Sequence, residues 1–171
     1  MPNDPTPPPG RHARRAARLF SPVNQEGDRV LDAGAGESPY RRFLRGRITG
    51  VDIRLTPGVN TVATIAALPF PDAAFDGATC FQVLYYASDP RRWILELARV
   101  VKPNGWLAVS ISRPPALQRE QAAHPERPLC DWTLPMWEKV FAESGWMDMT
   151  PWRERLLRHA GAYWFGLFRK S

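Results

Sequence analysis

A glycine-containing turn follows the first apolar segment of the chain and has the residue types of a nucleotide site. The stretch Val30–Tyr40 reads VLDAGAGESPY, in which a short apolar run ends at Asp32 and continues through Gly34 and Gly36. Glycine permits a sharp turn and lets the backbone approach a ligand without an intervening side chain. Open α/β sheets bind nucleotides at such turns, at the carboxyl ends of parallel strands. The stretch therefore predicts a buried strand, a tight turn and a nucleotide-type ligand.

The spacing of the glycines separates two classes of nucleotide site. A dinucleotide turn reads G-x-G-x-x-G, and its third glycine allows close helix–strand packing, but Pro39 occupies that position here. The string instead resembles motif I of the class I S-adenosylmethionine-dependent methyltransferases, in particular their small type 11-like members. That motif is an acid followed by G-x-G-x-G, and Ser38 stands in place of the last glycine. The resemblance places four residues around the methionine part of S-adenosylmethionine: Asp32, Gly34, Ala35 and Gly36.

A second carboxylate lies at the distance that a ribose-binding residue requires. The segment Ile48–Asp52, ITGVD, is an apolar strand that ends in an acid about 20 residues after the first. A carboxylate offers several acceptor sites to two neighbouring hydroxyls through charge-assisted hydrogen bonds. The alternative is a strand-end Asp that caps a turn. The glycine turn upstream favours the ribose role for Asp52, and the resemblance adds Ile53 beside the adenine.

The central block of the chain carries the stronger resemblance to the same family. Residues Leu68–Ser112 parse as a Pro- and Asp-rich loop, a strand at Gly77–Phe81, a helix over Pro90–Val101 and a strand at Trp106–Ser112. Asp89 is a good N-cap for that helix. The resemblance implies three further cofactor residues at the end of the fourth strand: Phe81, Gln82 and Val83.

Two positions depart from the family pattern. Many relatives have an acid after the third strand, which binds the adenine amino group, whereas this chain has Thr64 and Ile65; the Thr64 hydroxyl is the predicted substitute. Where relatives often show V-L-E-H, this chain reads VLYY. Tyr85 and Tyr86 are predicted to wall an acceptor pocket, with the Tyr86 phenol as a catalytic candidate. Packing under a loop with exposed hydroxyls is the alternative.

A second acceptor-side segment precedes the last predicted helix. HPERPLCDWT, residues His124–Thr133, resembles an H-x-x-P-x-D-[YF] segment of relatives encoded among glycan and polysaccharide genes. His124 is the candidate general base, since the unperturbed pKa of histidine lies near neutrality; an ordinary surface histidine is the alternative. Asp131 and Trp132 are predicted to line the opening of the acceptor pocket beside His124. We expect no metal site.

The predicted fold class is α/β, a Rossmann-like, doubly wound and mostly parallel sheet. In the family the last two strands form an antiparallel hairpin, and here we place them at Met147–Arg155 and Ala162–Arg169, after a helix over Leu134–Ser144. Only RLTPG separates Ile53 from the third strand candidate, Val59–Thr64, whereas a parallel crossover needs a dozen or more residues. We therefore predict a reduced edge at strand 3.

Composition is typical of one globular domain. The 171 residues predict a single domain over 11–171, preceded by a disordered Pro-rich tail over 1–10 and opening with a basic helix over 11–20. Two cysteines without a C-x-x-C motif, no apolar run of membrane-spanning length and no leader predict a cytoplasmic protein. The net charge of +6 suits nucleic acid, an anionic membrane surface or a phosphorylated substrate, but a simple solvated basic helix is the favoured interpretation.

The resemblance implies an S-adenosylmethionine-dependent methyltransferase that acts on a small-molecule or glycan-type acceptor. Such a reaction depends mainly on placing the acceptor in line with an activated methyl group. The alternatives are a nucleic-acid methyltransferase, which FQVLYY after the fourth strand argues against, and a non-catalytic cofactor-binding member. A nicotinamide enzyme is opposed by Pro39. The sequence identifies neither the acceptor nor the oligomeric state.

Overall fold

The computed structural model describes residues 10–123, 125–126, 129–157 and 162–171. The predicted tail at 1–10 lies outside these ranges except for Gly10. Five α-helices and seven strands are present in the described part. In chain order they are α1 Arg11–Phe20, β1 Arg29–Ala33, β2 Arg47–Asp52, β3 Thr61–Val62, β4 Phe75–Phe81, α2 Pro90–Val100, β5 Val101–Ser112, α3 Pro114–Ala123, α4 Leu134–Glu143, β6 Trp146–Asp148, α5 Trp152–Leu156 and β7 Tyr163–Lys170.

The strands form one mixed sheet in the order β3-β2-β1-β4-β5-β7-β6. The first five of these are parallel neighbours, and β7 pairs antiparallel with both β5 and β6. The predicted Rossmann-like α/β fold with an antiparallel C-terminal hairpin is therefore confirmed. The order reverses between β1 and β4, which is the switch point where open sheets of this kind form a crevice.

Helices cover both faces of the sheet, and this explains why its central strands are apolar on both sides. One buried cluster joins α2 and α4 to one face through Ile94, Leu97 and Phe141. The other face is covered by α1, whose Ala16 and Phe20 are fully buried. Parallel strands buried on both faces read as continuous hydrophobic runs, as β1 and β4 do.

The basic helix is only half solvated. The arginines at positions 11, 14 and 18 of α1 are exposed, but its alanines and Phe20 pack on β5 and β7. The interpretation of this segment as a simply solvated helix is therefore wrong, because its apolar face forms part of the core.

The predicted reduction of strand 3 is confirmed. Only Val51 and Asp52 of β2 pair with Thr61 and Val62, so β3 is a two-residue edge. The connection from β2 is too short for a crossover helix and folds as turns instead.

Two features of the C-terminal half differ from the prediction. The expected strand over Met147–Arg155 ends at Asp148, with one further ladder bond from the Met149 N–H to the Leu167 carbonyl (2.8 Å), and α5 comes next. Pro151 causes the change, since it has no N–H for the ladder and its φ of −54° suits a helix start. The helix α3 was not predicted, although PPALQREQAA combines proline at the first turn with good helix formers.

No helix of the described residues has the length and apolarity needed to cross a membrane. The described ranges also hold no group of three His, Cys, Asp or Glu side chains placed to bind a metal ion. Cys80 is buried in β4, and burial raises the pKa of its thiol, as expected for an inert packing residue.

Candidate functional site

The turn after β1 is tied to the neighbouring strand β2. The N–H groups of Gly34 and Ala35 both donate to the Val51 carbonyl, at 2.7 and 2.9 Å. Gly34 and Gly36 have φ values of +73° and +48°, in the left-handed region that favours glycine. The backbone therefore reverses sharply at the carboxyl end of β1, as the sequence predicts.

Asp32 lies beneath this turn and contacts protein groups only. Its Oδ2 accepts from the Ser38 hydroxyl (2.5 Å), and its Oδ1 accepts from the hydroxyls of Tyr40 (2.7 Å) and Thr79 (2.8 Å). The side chain is fully buried; burial raises the pKa of Asp32 above its usual value, and the three hydroxyl donors oppose that rise. The carboxylate thus holds the turn from below, and the predicted place of Asp32 near the methionine part of a cofactor stays a prediction.

The two glycines of the turn face different surroundings. A Cβ atom added to Gly34 would overlap Cγ2 of Val83, so its bare Cα allows β1 and the end of β4 to approach each other. A Cβ atom added to Gly36 would meet nothing nearer than Oδ2 of Asp52, at 3.9 Å. Of the two, Gly36 thus leaves open space above the backbone, whereas Gly34 packs against Val83; the predicted ligand role of both stays a prediction. Ala35 is buried between them.

Asp52 ends β2 beside the open side of Gly36. Its Oδ2 accepts from the Gly36 N–H (3.1 Å) and its Oδ1 from the Arg54 N–H (3.1 Å). The bond to Gly36 joins the glycine turn directly to the strand-end acid. The bond to Arg54 is the turn cap that the sequence allows as the alternative role of Asp52. A carboxylate has about four acceptor positions, so these two bonds leave capacity for hydroxyl donors. The next residue, Ile53, is 69% exposed and offers an apolar surface at the same edge.

The loop between β2 and β3 is fastened against the turn by side chains that the sequence did not single out. The Thr56 hydroxyl donates to the Gly36 carbonyl (2.5 Å), and Oδ1 of Asn60 accepts from the Gly50 N–H (2.8 Å). The Arg41 guanidinium donates to the carbonyls of Gly58 (2.5 Å) and Ile48 (3.2 Å). These bonds replace the missing crossover helix as the support of the ribose-side edge.

Thr64 and Ile65 follow β3 at this edge. The Ala63 N–H donates to the Asp52 carbonyl (3.0 Å), which brings the segment alongside Asp52. Thr64 is exposed, and its Oγ1 accepts from the Ala66 N–H (3.2 Å). Ile65 is buried in the core, so its side chain does not face the site and only its backbone remains available.

The end of β4 places the three residues predicted there in different environments. The Phe81 ring is buried against Tyr40, with ring centroids 4.6 Å apart, so only its backbone is available to a cofactor and its predicted cofactor role stays a prediction. Gln82 has a φ of +61°. Its Nε2 donates to the Ser110 hydroxyl (2.9 Å), and its Oε1 accepts from the Ser112 hydroxyl (2.6 Å). Val83 is half-buried beside Gly34.

A histidine of α1 joins the same polar cluster. Nε2 of His12 lies 2.9 Å from the Ser110 hydroxyl, at the carboxyl end of β5. Burial, assisted by the charge of Arg15, lowers the pKa of His12 to about 4, so its imidazole is neutral at pH 7. This residue belongs to the site region, although its sequence context indicates only a basic helix.

Tyr85 and Tyr86 form a turn directly after β4. The Tyr86 hydroxyl donates to the Glu120 carboxylate of α3. Burial and this bond raise the pKa of Tyr86, so the phenol keeps its proton. Tyr85 is buried, its ring centroid lies 4.6 Å from that of Tyr86, and burial raises its pKa as well. Of the two, Tyr86 is the one whose hydroxyl can serve an acceptor.

An open cleft of about 330 Å³ lies between α3, which carries Glu120, and the segment that follows it at residues 129–131. The Tyr85 carbonyl accepts from the Cys130 N–H (2.7 Å) and so fixes the segment that carries Asp131. Asp131 lines the cleft, whereas Trp132 packs on Trp137 with centroids 5.0 Å apart and is not among the lining residues. His124 lies outside the described residues. The cleft is lined by Pro114, Leu117, Gln118, Gln121, Leu129 and Asp131.

Four residues of this region escaped the sequence-based prediction for different reasons. Glu120 was missed because α3 was not predicted, and the proline pair followed by helix formers is the signal that reveals it. His12 was missed because it lies in an arginine-rich helix, whose charged residues gave no indication that one face of the helix is buried. The side chains of Arg41 and Asn60 bond backbone carbonyl and N–H groups of other residues. Such contacts do not depend on the partner's residue type, so no sequence pattern predicts them.

Comparison with known proteins agrees with this geometry. Residues 31–109 match the family described as methyltransferase domain. The demethylmenaquinone methyltransferase of Tropheryma whipplei (strain Twist) is 33% identical over an alignment that covers 57% of this chain and 47% of the relative. The chain spans about half the length of the curated relatives it matches.

Solved structures extend the likeness to nearly the whole chain. The 1,6-didemethyltoxoflavin-N1-methyltransferase of Burkholderia thailandensis, with bound 1,6-didemethyltoxoflavin and S-adenosylhomocysteine, gives a TM-score of 0.71 at 19% identity and covers 94% of this chain and 79% of that chain. An S-adenosylmethionine-dependent methyltransferase from Mesorhizobium loti gives 0.73 at 14% identity, with 94% and 99% covered. At these identities the solved structures support the fold alone, and the sequence match shows that residues 31–109 are similar to the methyltransferase domain family.

Proposed function

We propose that this protein binds S-adenosylmethionine at the turn after β1 and transfers its methyl group to a small-molecule or glycan-type acceptor. The observation that carries the proposal is the pairing of Gly36 with Asp52. The glycine leaves open space above a turn at the switch point of the sheet, and the carboxylate stands at its side with acceptor positions to spare.

Each residue of the cofactor half has a defined task in this proposal. Asp52 accepts hydrogen bonds from the ribose hydroxyls, the exposed Ile53 packs on the adenine, and the Thr64 hydroxyl stands at the adenine edge. Asp32 holds the turn in shape from below through Ser38. When bound, S-adenosylmethionine supplies a methyl group that its positive sulfur already activates.

The acceptor half combines the tyrosine turn with the open cleft. The cleft has apolar walls at Leu117 and Leu129 and polar groups at Gln118 and Gln121, a mixture that suits a ring bearing hydroxyl or amino groups. Relatives of the chain include methyltransferases named for demethylmenaquinone and ubiquinone biosynthesis, and these names favour a small aromatic acceptor.

Tyr86 and Glu120 provide a route for the acceptor's proton. As the acceptor oxygen attacks the methyl carbon, its proton passes to the Tyr86 oxygen while the Tyr86 proton passes to the Glu120 carboxylate. Bound S-adenosylmethionine would supply the methyl group and keep the electron pair of the carbon–sulfur bond on sulfur, so charge and atoms would balance. Holding acceptor and donor in line supplies the larger part of the rate enhancement.

A transfer assay with methyl-labelled S-adenosylmethionine tests this function. The acceptors compared are catechols, hydroxyquinones, reducing sugars and bulk RNA, and the expected result is label in an aromatic or sugar hydroxyl product. Label in RNA alone would replace the proposal with a nucleic-acid methyltransferase. Cofactor binding without label in any acceptor would favour the non-catalytic alternative.

A further inference from the structure

The short helix α5 presents its apolar side chains to solvent. Trp152 and Leu156 are 66% and 71% exposed. Between them, Glu154 faces the protein and forms an ion pair with Arg15 of α1 (Nη2 to Oε2, 2.7 Å). Residues two positions before and after Glu154 lie on the opposite side of a helix. The helix is therefore amphipathic with its apolar side directed outward, the reverse of ordinary packing.

A stripe of exposed arginines lies on α1, the helix that contacts α5 through Arg15 and Glu154. Arg11, Arg14 and Arg18 form the exposed face of α1, and Arg15 of the same helix anchors α5. Arg15 is itself fixed, since its guanidinium lies 4.4 Å from the Phe165 ring centroid. We name the combined surface the docking face; it consists of Arg11, Arg14, Arg18, Trp152 and Leu156.

The docking face lies at the edge of the sheet that carries the proposed site. α1 begins beside the carboxyl end of β5, where His12 meets Ser110. β7 begins at the same edge, because Tyr163 pairs with Ser112. The open cleft adjoins this edge through Pro114, two residues after β5.

We propose that the docking face binds the surface of an anionic phospholipid bilayer. Tryptophan and leucine side chains enter the boundary between headgroups and acyl chains, and arginines attract anionic headgroups. Arg153 completes the arrangement, because its guanidinium lies 5.3 Å from the Trp152 ring centroid, at the rim of the apolar side. The chain as a whole carries a net charge of +6, which favours the same surface.

Nucleic acid fits this face less well. A phosphate backbone would use the arginines, and a base could stack on Trp152. Leu156 and the exposed Met149 nearby in sequence would gain nothing from such a partner. The proposal concerns binding alone, so it stands or falls independently of methyl transfer.

Vesicle co-sedimentation of the full chain tests the proposal. The vesicles are phosphatidylcholine alone and phosphatidylcholine with phosphatidylglycerol in equal parts. We expect partition into the anionic vesicles, at least tenfold weaker partition for Trp152→Ser/Leu156→Ser, and no change for Leu95→Ser, an exposed apolar residue of α2. A thermal melt by circular dichroism confirms that each variant is folded.

A charge-reversal pair tests the electrostatic part. Arg11→Glu/Arg18→Glu should weaken partition into anionic vesicles at least tenfold. The control Arg45→Glu/Arg47→Glu changes the net charge by the same amount, but at the amino edge of the sheet, and should have a much smaller effect. Absence of wild-type binding to anionic vesicles, or equal binding after Trp152→Ser/Leu156→Ser, would overturn the proposal. Preference for RNA over anionic vesicles at equal phosphate concentration would also overturn it, in favour of a nucleic-acid surface.

Discussion

The carboxylate of Asp32 accepts hydrogen bonds from three hydroxyls, two on the C-terminal side of the turn and one from β4. The acid of the motif thus shapes the turn from inside the protein. Gly34 likewise serves packing, since its Cα faces Val83. In the proposed site the ligand therefore meets the backbone around Gly36 and the carboxylate of Asp52.

Alanine substitutions of the two glycines separate packing from binding. Gly34→Ala should destabilise the protein by about 2 to 4 kcal/mol, because the added methyl group overlaps the Val83 side chain on a strained backbone. Gly36→Ala should cost only about 1 kcal/mol of stability but at least tenfold in cofactor affinity. Urea unfolding and calorimetric titration measure the two effects; equal losses of stability would show that Gly36 is also a packing residue.

The hydroxyl of Tyr86 is expected to matter for turnover and not for cofactor binding. Tyr86→Phe removes the donor to Glu120 and should lower kcat by about 10², with the affinity for S-adenosylmethionine changed less than threefold. Tyr85→Phe is the matched control and should retain most of the turnover. Unchanged kcat in Tyr86→Phe would remove this residue and Glu120 from the proposed mechanism.

The types and spacing of residues predicted where the site lies in the chain. They did not predict which of its side chains are buried in the core. The glycine turn and Asp52 could be found because strand-end acids at a fixed separation are a sequence pattern. Whether Asp32 or Phe81 faces a ligand or the core depends on the elements packed behind them. That information comes from Thr79 of β4 and from α1, both of which are distant from the motif in sequence.

At the scale of elements, the loop between β2 and β3 is the least regular part of the cofactor half. Within the described residues no crossover helix packs on this loop, and hydrogen bonds of Asn60 support it instead. Oδ1 of Asn60 accepts from the Gly50 N–H and from the Arg41 guanidinium (3.4 Å). The loop therefore depends on a few polar contacts at the edge where Asp52 stands.

Removal of these contacts should loosen the ribose-side edge. Asn60→Ala leaves the Gly50 N–H without its acceptor and should reduce the free energy of unfolding by about 1 to 2 kcal/mol. Asn60→Asp preserves an acceptor oxygen and should lose less than half as much. Denaturant titration compares the variants, and equal stability of Asn60→Ala and the wild type would show that the loop is held by other groups.

The elements that escaped prediction share a physical cause. α3 and α5 begin at or just after prolines, and proline is equally suited to ending a strand, so the outcome depends on the tertiary contacts of the next residues. By contrast, α2 and its Asp89 cap could be predicted, because apolar positions at helical spacing and a side-chain cap are local features.

For the whole molecule, His12 links stability to pH. Its pKa is lowered from 6.5 to about 4 by burial between α1 and the sheet. The unfolded chain therefore binds more protons than the folded chain between these two values. The contribution of neutral His12 to stability is complete above pH 6.5 and is lost as the pH falls towards 4.

Replacement of His12 should flatten this dependence. Between pH 7 and pH 4.5 the wild type should lose about 2 to 3 kcal/mol more of its unfolding free energy than His12→Gln, which has no titrating ring. Urea unfolding at the two pH values gives the difference, in which contributions of the carboxylates cancel. Parallel pH profiles for the two proteins would contradict the assigned burial of the imidazole.

Calorimetric titration with S-adenosylmethionine and S-adenosylhomocysteine measures whether Gly36 and Asp52 together bind the cofactor. We predict binding by the wild type and at least tenfold weaker binding by Asp52→Ala, equivalent to about 1.4 kcal/mol. Asp52→Asn, which keeps an acceptor for the Gly36 N–H, should lie between the two. No binding heat from the wild type at millimolar ligand, or equal affinity in folded Asp52→Ala, would contradict the account.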